Sequence, residues 1–329
     1  MLVLLSLAAQ SGRCDSREYF EISNINGLLL ALRSDNLCVL KDEGASLKEI
    51  PLLPYRKGVI YTSFCVEESS KESFNVYLAV IGEGGKSEIQ RVELACDASS
   101  VKILKVEKLA SVKYPVVDIK CYKGRLIMAV LTKGVVVASL SKENVANAYR
   151  KNNEINVEWF TGLKVDEFWP ELKYPVRIEV GEKILVVGKN KEGLLIVTNP
   201  FTKQEGREEK NTANSDLVSA NLTDCIVWNG SIWVSHAFGV SSFDGYRWFN
   251  YMIYAKNSKK PVQISRLKVL DGELFAASRD GVFHFKEAKW KLIVGESDLS
   301  GSVVLDFVKS KEGLLLATTS GIKRIELRR

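Results

Sequence analysis

One short pattern recurs seven times along the chain: an apolar run, a tight turn, an apolar run, a second turn and an apolar run. The last copy reads Glu312-Gly313-Leu314-Leu315-Leu316-Ala317-Thr318-Thr319-Ser320-Gly321-Ile322, and the first reads Asn26-Gly27-Leu28-Leu29-Leu30-Ala31-Leu32-Arg33-Ser34-Asp35. The first turns fall near Gly27, Asn75, Gly124, Gly181, Gly230, Gly272 and Gly313, with no glycine in the second copy. From Gly27 to Gly313 the spacing averages about 48 residues, and seven units of about 47 residues use the whole 329-residue chain. A period of about 40–50 residues with several short strands per unit is the signature of a β-propeller. One such unit cannot bury both faces of its sheet, so the units must close on one another. The expected fold is all-β: a single domain, residues 1–329, forming a seven-bladed β-propeller of four-stranded blades.

The runs before the first turns read as innermost strands, among them Tyr19-Phe20-Glu21-Ile22, Val116-Val117-Asp118-Ile119 and Val176-Arg177-Ile178-Glu179-Val180. The runs after them, such as Leu126-Ile127-Met128-Ala129-Val130, read as second strands, short and rich in β-branched residues. The last copy stops at Arg329 after its third strand. A spare apolar run, Leu2-Val3-Leu4-Leu5-Ser6-Leu7-Ala8-Ala9, precedes the first copy. The N-terminal run is expected to supply the fourth strand of the last blade and close the ring. A secretory signal peptide is the competing reading, but the run lacks a basic segment before it, the first basic residue being Arg13. Reading it as a strand favours a cytoplasmic over a secreted protein. No other segment is long enough to span a membrane.

The formal charge is +6 from 46 basic and 40 acidic residues, which are interspersed. Without a Lys/Arg stripe, binding to nucleic acid is not indicated. Only four Gln, three Met and two His are present, a balance associated with proteins that work at high temperature. Six cysteines contain no CxxC pair, so no metal site is expected. Cys65, Cys121 and Cys225 fall in or beside predicted inner strands and read as small buried hydrophobes, with disulfides left open.

Blades 5 to 7 carry a more particular pattern: Trp228-Asn229-Gly230-Ser231-Ile232-Trp233-Val234-Ser235, then Gly239-Val240-Ser241-Ser242-Phe243-Asp244-Gly245, then Trp248. Blade 6 keeps Gly281-Val282-Phe283-His284-Phe285 and Trp290, and blade 7 keeps Ser320-Gly321-Ile322-Lys323-Arg324-Ile325. This pattern resembles the repeats of the two-component-regulator propeller group over roughly the last hundred residues. The resemblance implies a propeller. Its members often serve as sensory ectodomains of kinases, but no kinase segment accompanies the repeats here, so that role is not carried over. Trp248 and Trp290 recur at one place in the repeat and are expected to be packing residues.

No paired carboxylates, His cluster or nucleophile–base set stands out, so no catalytic residue and no cofactor is expected. The loops between second and third strands share one face of the ring, where propeller ligands gather. They place Arg33, Lys133, Lys189, His236, Arg279 and Asp280 as candidate partner-binding residues, with His236 expected to be solvated. Two stretches break the period. One contains Phe168 and Trp169, which the repeat gives no packing partner and which are therefore expected at a protein interface. The other, from Pro200 to Asp216, is wholly polar from Thr202 to Asn211 and reads as a mobile loop. The leading expectation is a non-catalytic scaffold that binds protein partners, as a subunit of a larger assembly. The alternatives are a propeller that binds a small molecule or glycan, and a hydrolase or lyase with its site at the central mouth.

Overall fold

The computed structural model describes residues 19–42, 47–70, 73–96, 100–140, 157–255, 259–310 and 312–326. The seven sequence units form seven antiparallel sheets set around one axis. The fold is a seven-bladed β-propeller. The inner strands are Tyr19–Ile25, Ile60–Ser70, Val116–Tyr122, Pro175–Val180, Leu222–Trp228, Ile264–Leu270 and Val304–Ser310. From each of them the chain meanders outward. Blade 2 gains a short fifth strand, Phe160–Thr161, against its long outer strand Val101–Val112. Three strands of blade 7 are described, ending with Gly321–Ile325. The expected closing strand at residues 2–7 lies outside the described residues.

Position within a blade sets the character of each strand. Second strands are covered on both faces by neighbouring blades, so they read as unbroken apolar runs; all but the first residue of Arg125–Val130 are buried. Outer strands face solvent and need no apolar pattern. The polar stretch expected to be a mobile loop therefore contains the outer strand of blade 4, Gly206–Lys210, paired in register with Gly193–Thr198. Asn75 likewise is not at a turn. It lies inside Ser73–Ile81, opposite Glu67, because the strands of blade 2 are longer than those elsewhere.

Seven apolar clusters hold the ring, one at each interface between consecutive blades. Closure joins Tyr19, Ile22 and Ala31 of blade 1 to Val308, Leu315 and Ala317 of blade 7. The tryptophans expected to pack do so: Trp248 stacks on Phe243 at 5.1 Å, and Trp290 lies against Phe285 at the same centroid separation.

Candidate functional site

Every inner strand carries a β-bulge near its start. The skipped residues are Phe20, Thr62, Val117, Val176, Thr223, Ser265 and Leu305. A bulge re-aims the residue that follows it. Those residues are Glu21, Ser63, Asp118, Arg177, Asp224, Arg266 and Asp306, and all seven are buried. The inner strand is a sheet edge, so some of its N–H groups have no strand to pair with. All four acids fill this need across interfaces. Glu21 accepts from the Phe64 N–H, Asp118 from Ile178, Asp224 from Leu267, and Asp306 from Ile22 across the closure. The arginines neutralise them. Arg177 reaches Asp224 at 3.0 Å, Asp118 at 3.4 Å and Glu21 at 3.8 Å, while Arg266 pairs with Asp306 at 3.1 Å.

Arg177 divides the central channel, since its side chain lines a cavity on either side. The mouth on the side of the loops between second and third strands has a volume of about 380 Å³. Its walls are mainly apolar, formed by Phe20, Val117, Val176 and Leu305, with the amides Asn190, Asn221 and Gln263. The opposite cavity, about 400 Å³, is charged and includes Lys120, Glu179, Lys268 and the inward face of Glu21. Burial pushes the Glu179 carboxyl up to about 7, only partly opposed by Lys120. Burial likewise raises Asp224 to about 6 against the pull of Arg177. Burial works against the Lys120 charge, yet Asp118, Glu21 and Glu179 together hold its ammonium above the ordinary value. A Cys65–Cys121 disulfide, with Cα atoms 5.8 Å apart, ties the inner strands of blades 2 and 3 beside Lys120. The sequence suggests buried hydrophobes and leaves disulfides open: Cys65 and Cys121 take the second course, and Cys225 the first, with its thiol near two backbone carbonyls.

The loop residues expected at the mouth are dispersed. None of Arg33, Lys133, Lys189, His236, Arg279 or Asp280 lines either central cavity. Arg33 pairs with Asp35 and Glu49, and Lys133 lies over the Tyr114 ring. Lys189 is buried, with Glu192 and Glu209 around its ammonium. His236, expected to be solvated, is buried against Ser241, and burial lowers its imidazole to about 4. Arg279 is exposed and Asp280 half-buried. The exposure expected of Phe168 and Trp169 is not met. Both belong to Val165–Trp169, the outer strand of blade 3, and Trp169 is 2% exposed, stacked between Phe201 and the Arg207 guanidinium. Gly134, at a φ of +113°, permits this approach, because a Cβ there would stand 2.1 Å from the Trp169 carbonyl oxygen. The insertion delivers the missing outer strand by a longer path, so the repeat was interrupted in sequence but not in space.

Exposed apolar surface collects instead on blade 5. Among the described residues, five of the ten exposed large apolar side chains are Phe238, Tyr246, Phe249, Met252 and Tyr254. Met252 lies opposite Gly239, which brings it beside the Phe238 loop, and the Tyr254 hydroxyl is 3.6 Å from its sulfur. The strand that carries Phe249 and Met252, Trp248–Met252, is the outer edge of its sheet.

The post-bulge ring carries a signal in the sequence. In six of the seven repeats a charged residue interrupts the apolar run at the same place, as in Val117-Asp118-Ile119 and Leu305-Asp306-Phe307.

No protein-family model matches the chain, and no curated protein sequence does. Solved structures do. The WD40 β-propeller domain of Doa1 superposes with a TM-score of 0.58 at 10% identity, covering 94% of this chain and 93% of that one. Saccharomyces cerevisiae Sqt1 gives 0.55 at 14% identity, with 93% and 95% covered. The extracellular domain of the one-component system BT4673 from B. thetaiotaomicron gives 0.59 at 12% identity, with 94% of this chain matched to 38% of that one. The likeness is one of fold. Among the described residues no helix is long and apolar enough to cross a membrane, and no group of three or more His, Cys, Asp or Glu is arranged to hold a metal ion.

Proposed function

We propose that the protein is a non-catalytic propeller scaffold that binds a protein partner on the outer edge of blade 5. The observation that carries this reading is the concentration of exposed Phe238, Phe249, Met252 and Tyr254 around an open sheet edge. Aromatic residues and Met are enriched at interfaces, and an open strand edge can add a partner strand through backbone hydrogen bonds. Two further facts support it. Most of the channel charges are engaged in holding blades together, and His236 is withdrawn from solvent. The fold likeness to WD40 propellers agrees with the reading. The likeness of blades 5 to 7 to two-component-regulator repeats, together with the fold match to a one-component-system ectodomain, supports a binding rather than a chemical role.

A photocrosslinking residue at Met252 in the full chain, expressed in its native cells, should yield one discrete adduct. The same residue at Leu104, an equally exposed apolar position on blade 2, should not. Identical adduct patterns at both positions, or none at Met252, would remove the blade 5 edge as the interface.

A further inference from the structure

The charged cavity of the channel contains two groups that the ring does not use. Lys120 and Glu179 occupy the same level of adjacent inner strands, two residues beyond Asp118 and Arg177. Both line the cavity of about 400 Å³. Their neighbours there are committed. Arg177 holds three acids, Lys268 donates to the Ile22 carbonyl and Asp306, Glu21 accepts from Ser63 and Phe64, and Asp224 accepts from Leu267 and Cys225. By contrast, the side chains of Lys120 and Glu179 make no hydrogen bond or ion pair among the described residues. A partly buried charge without such a partner is costly, and a cation and an acid so placed can be satisfied together by a single molecule bearing the opposite charges.

The geometry points to a binding site for a small zwitterion, an α-amino acid with an aliphatic side chain, whose carboxylate meets Lys120 and whose ammonium meets Glu179. Charge-assisted hydrogen bonds to both ends would be the strong contacts. The rest of the cavity wall suits the side chain, since Ile25, Val66, Ile226, Val269 and Val308 line it. The volume falls within the range of sites for small ligands. The Cys65–Cys121 disulfide holds the strand next to Lys120 in place, so one side of the site is pre-organised. Lys120 is kept protonated by the surrounding acids, and Glu179, raised to about 7, is ionised above neutrality. The site would operate on the channel axis, separate from the blade 5 edge.

Calorimetric titration of the purified full chain at about pH 8 tests this with three probes: L-leucine, 4-methylpentanoate, which lacks the ammonium, and 3-methylbutylamine, which lacks the carboxylate. L-leucine should bind saturably at one site per chain, and each single-charge probe at least tenfold more weakly. Lys120→Met should abolish the advantage of L-leucine over 3-methylbutylamine, and Glu179→Gln its advantage over 4-methylpentanoate. Absence of saturable L-leucine binding, or equal affinity for all three probes, would overturn the proposal on the unaltered protein alone. Retention of full L-leucine affinity in both variants, with their circular dichroism unchanged, would overturn the assignment of these two residues. Crosslinking at Met252 is unaffected by any of these outcomes, so the two readings fail separately.

Discussion

Glu21, Asp118, Asp224 and Asp306 are carboxyls inside a β-sheet protein, and each is there because a backbone N–H of the next blade would otherwise be unpaired. Their desolvation is offset by those N–H groups and by Arg177, Arg266 and Lys268. Glu179 has no such bonds and pays the desolvation in its titration. It is protonated in both folded and unfolded chains below about pH 4.5. From there to about 7 only the unfolded chain ionises, which favours unfolding as pH rises through that window. Above it the cost is constant, about 3 kcal/mol for a shift of this size. Glu179→Gln should therefore raise the midpoint of urea unfolding at about pH 8 and leave it unchanged near pH 4.5. His236, lowered to about 4, contributes the opposite trend, its stabilisation lost as pH falls from its ordinary 6.5. It acts equally in both chains and cancels from the comparison. A variant less stable than the parent at pH 8 would mean that ionised Glu179 is stabilising on balance.

At the scale of elements, the inner strands are joined by apolar side chains, by carboxylate-to-backbone bonds, by ion pairs of Arg177 and Arg266 and, between blades 2 and 3 alone among the described residues, by a disulfide. At that interface blade 2 offers Ser63 where blades 1, 3, 5 and 7 offer an acid, and Ser63 donates to Asp118 instead, so no carboxylate crosses from blade 2 to Ile119, whose N–H turns to Asp118 of its own strand. The Cys65–Cys121 bond substitutes a covalent link at the same place. It closes a loop spanning a sequence separation of 56, and a cross-link of that span restricts the unfolded chain by about 2–4 kcal/mol. Cys65→Ser with Cys121→Ser should lower the unfolding free energy by that amount. In the parent chain, denatured without reductant, a thiol assay should find two fewer thiols than after reduction. Equal thiol counts would show the pair to be reduced. Disulfides persist in oxidising compartments and in proteins of hyperthermophiles, the second context agreeing with the composition.

At the scale of the whole molecule, stability is a property of closure. Each blade buries its faces only against its neighbours, and the contacts that complete the ring join residues 284 apart in sequence, as in the Ile22–Asp306 bond. Contacts of such separation form late and slow folding. Removing blade 7, residues 304–329, would uncover Tyr19, Ile22 and Ala31 on one side and Phe275, Ala277 and Val282 on the other. Such a chain should lose its near-ultraviolet dichroism and cooperative melting and should scatter light on concentration. A truncated chain that melts cooperatively as a monomer would show that six blades can close by themselves.

The repeat determined the blade count, the inner and second strands and the packing role of Trp248 and Trp290, because these depend on local apolar patterning that every blade must satisfy. The sequence by itself did not reveal outer strands such as Gly206–Lys210 and Val165–Trp169. Strands exposed on their outer side carry no obligatory pattern, and their pairing is decided by the partner strand. The sequence placed candidate residues on the loops by repeat position alone, without their surroundings. Whether Lys189 and His236 meet solvent, and whether Trp169 lies under Arg207, depends on neighbours far along the chain. The post-bulge charges were visible as polar interruptions of apolar runs, but their pairing across the axis exists only once the ring has closed and brought residues such as Glu21 and Arg177 within reach of one another.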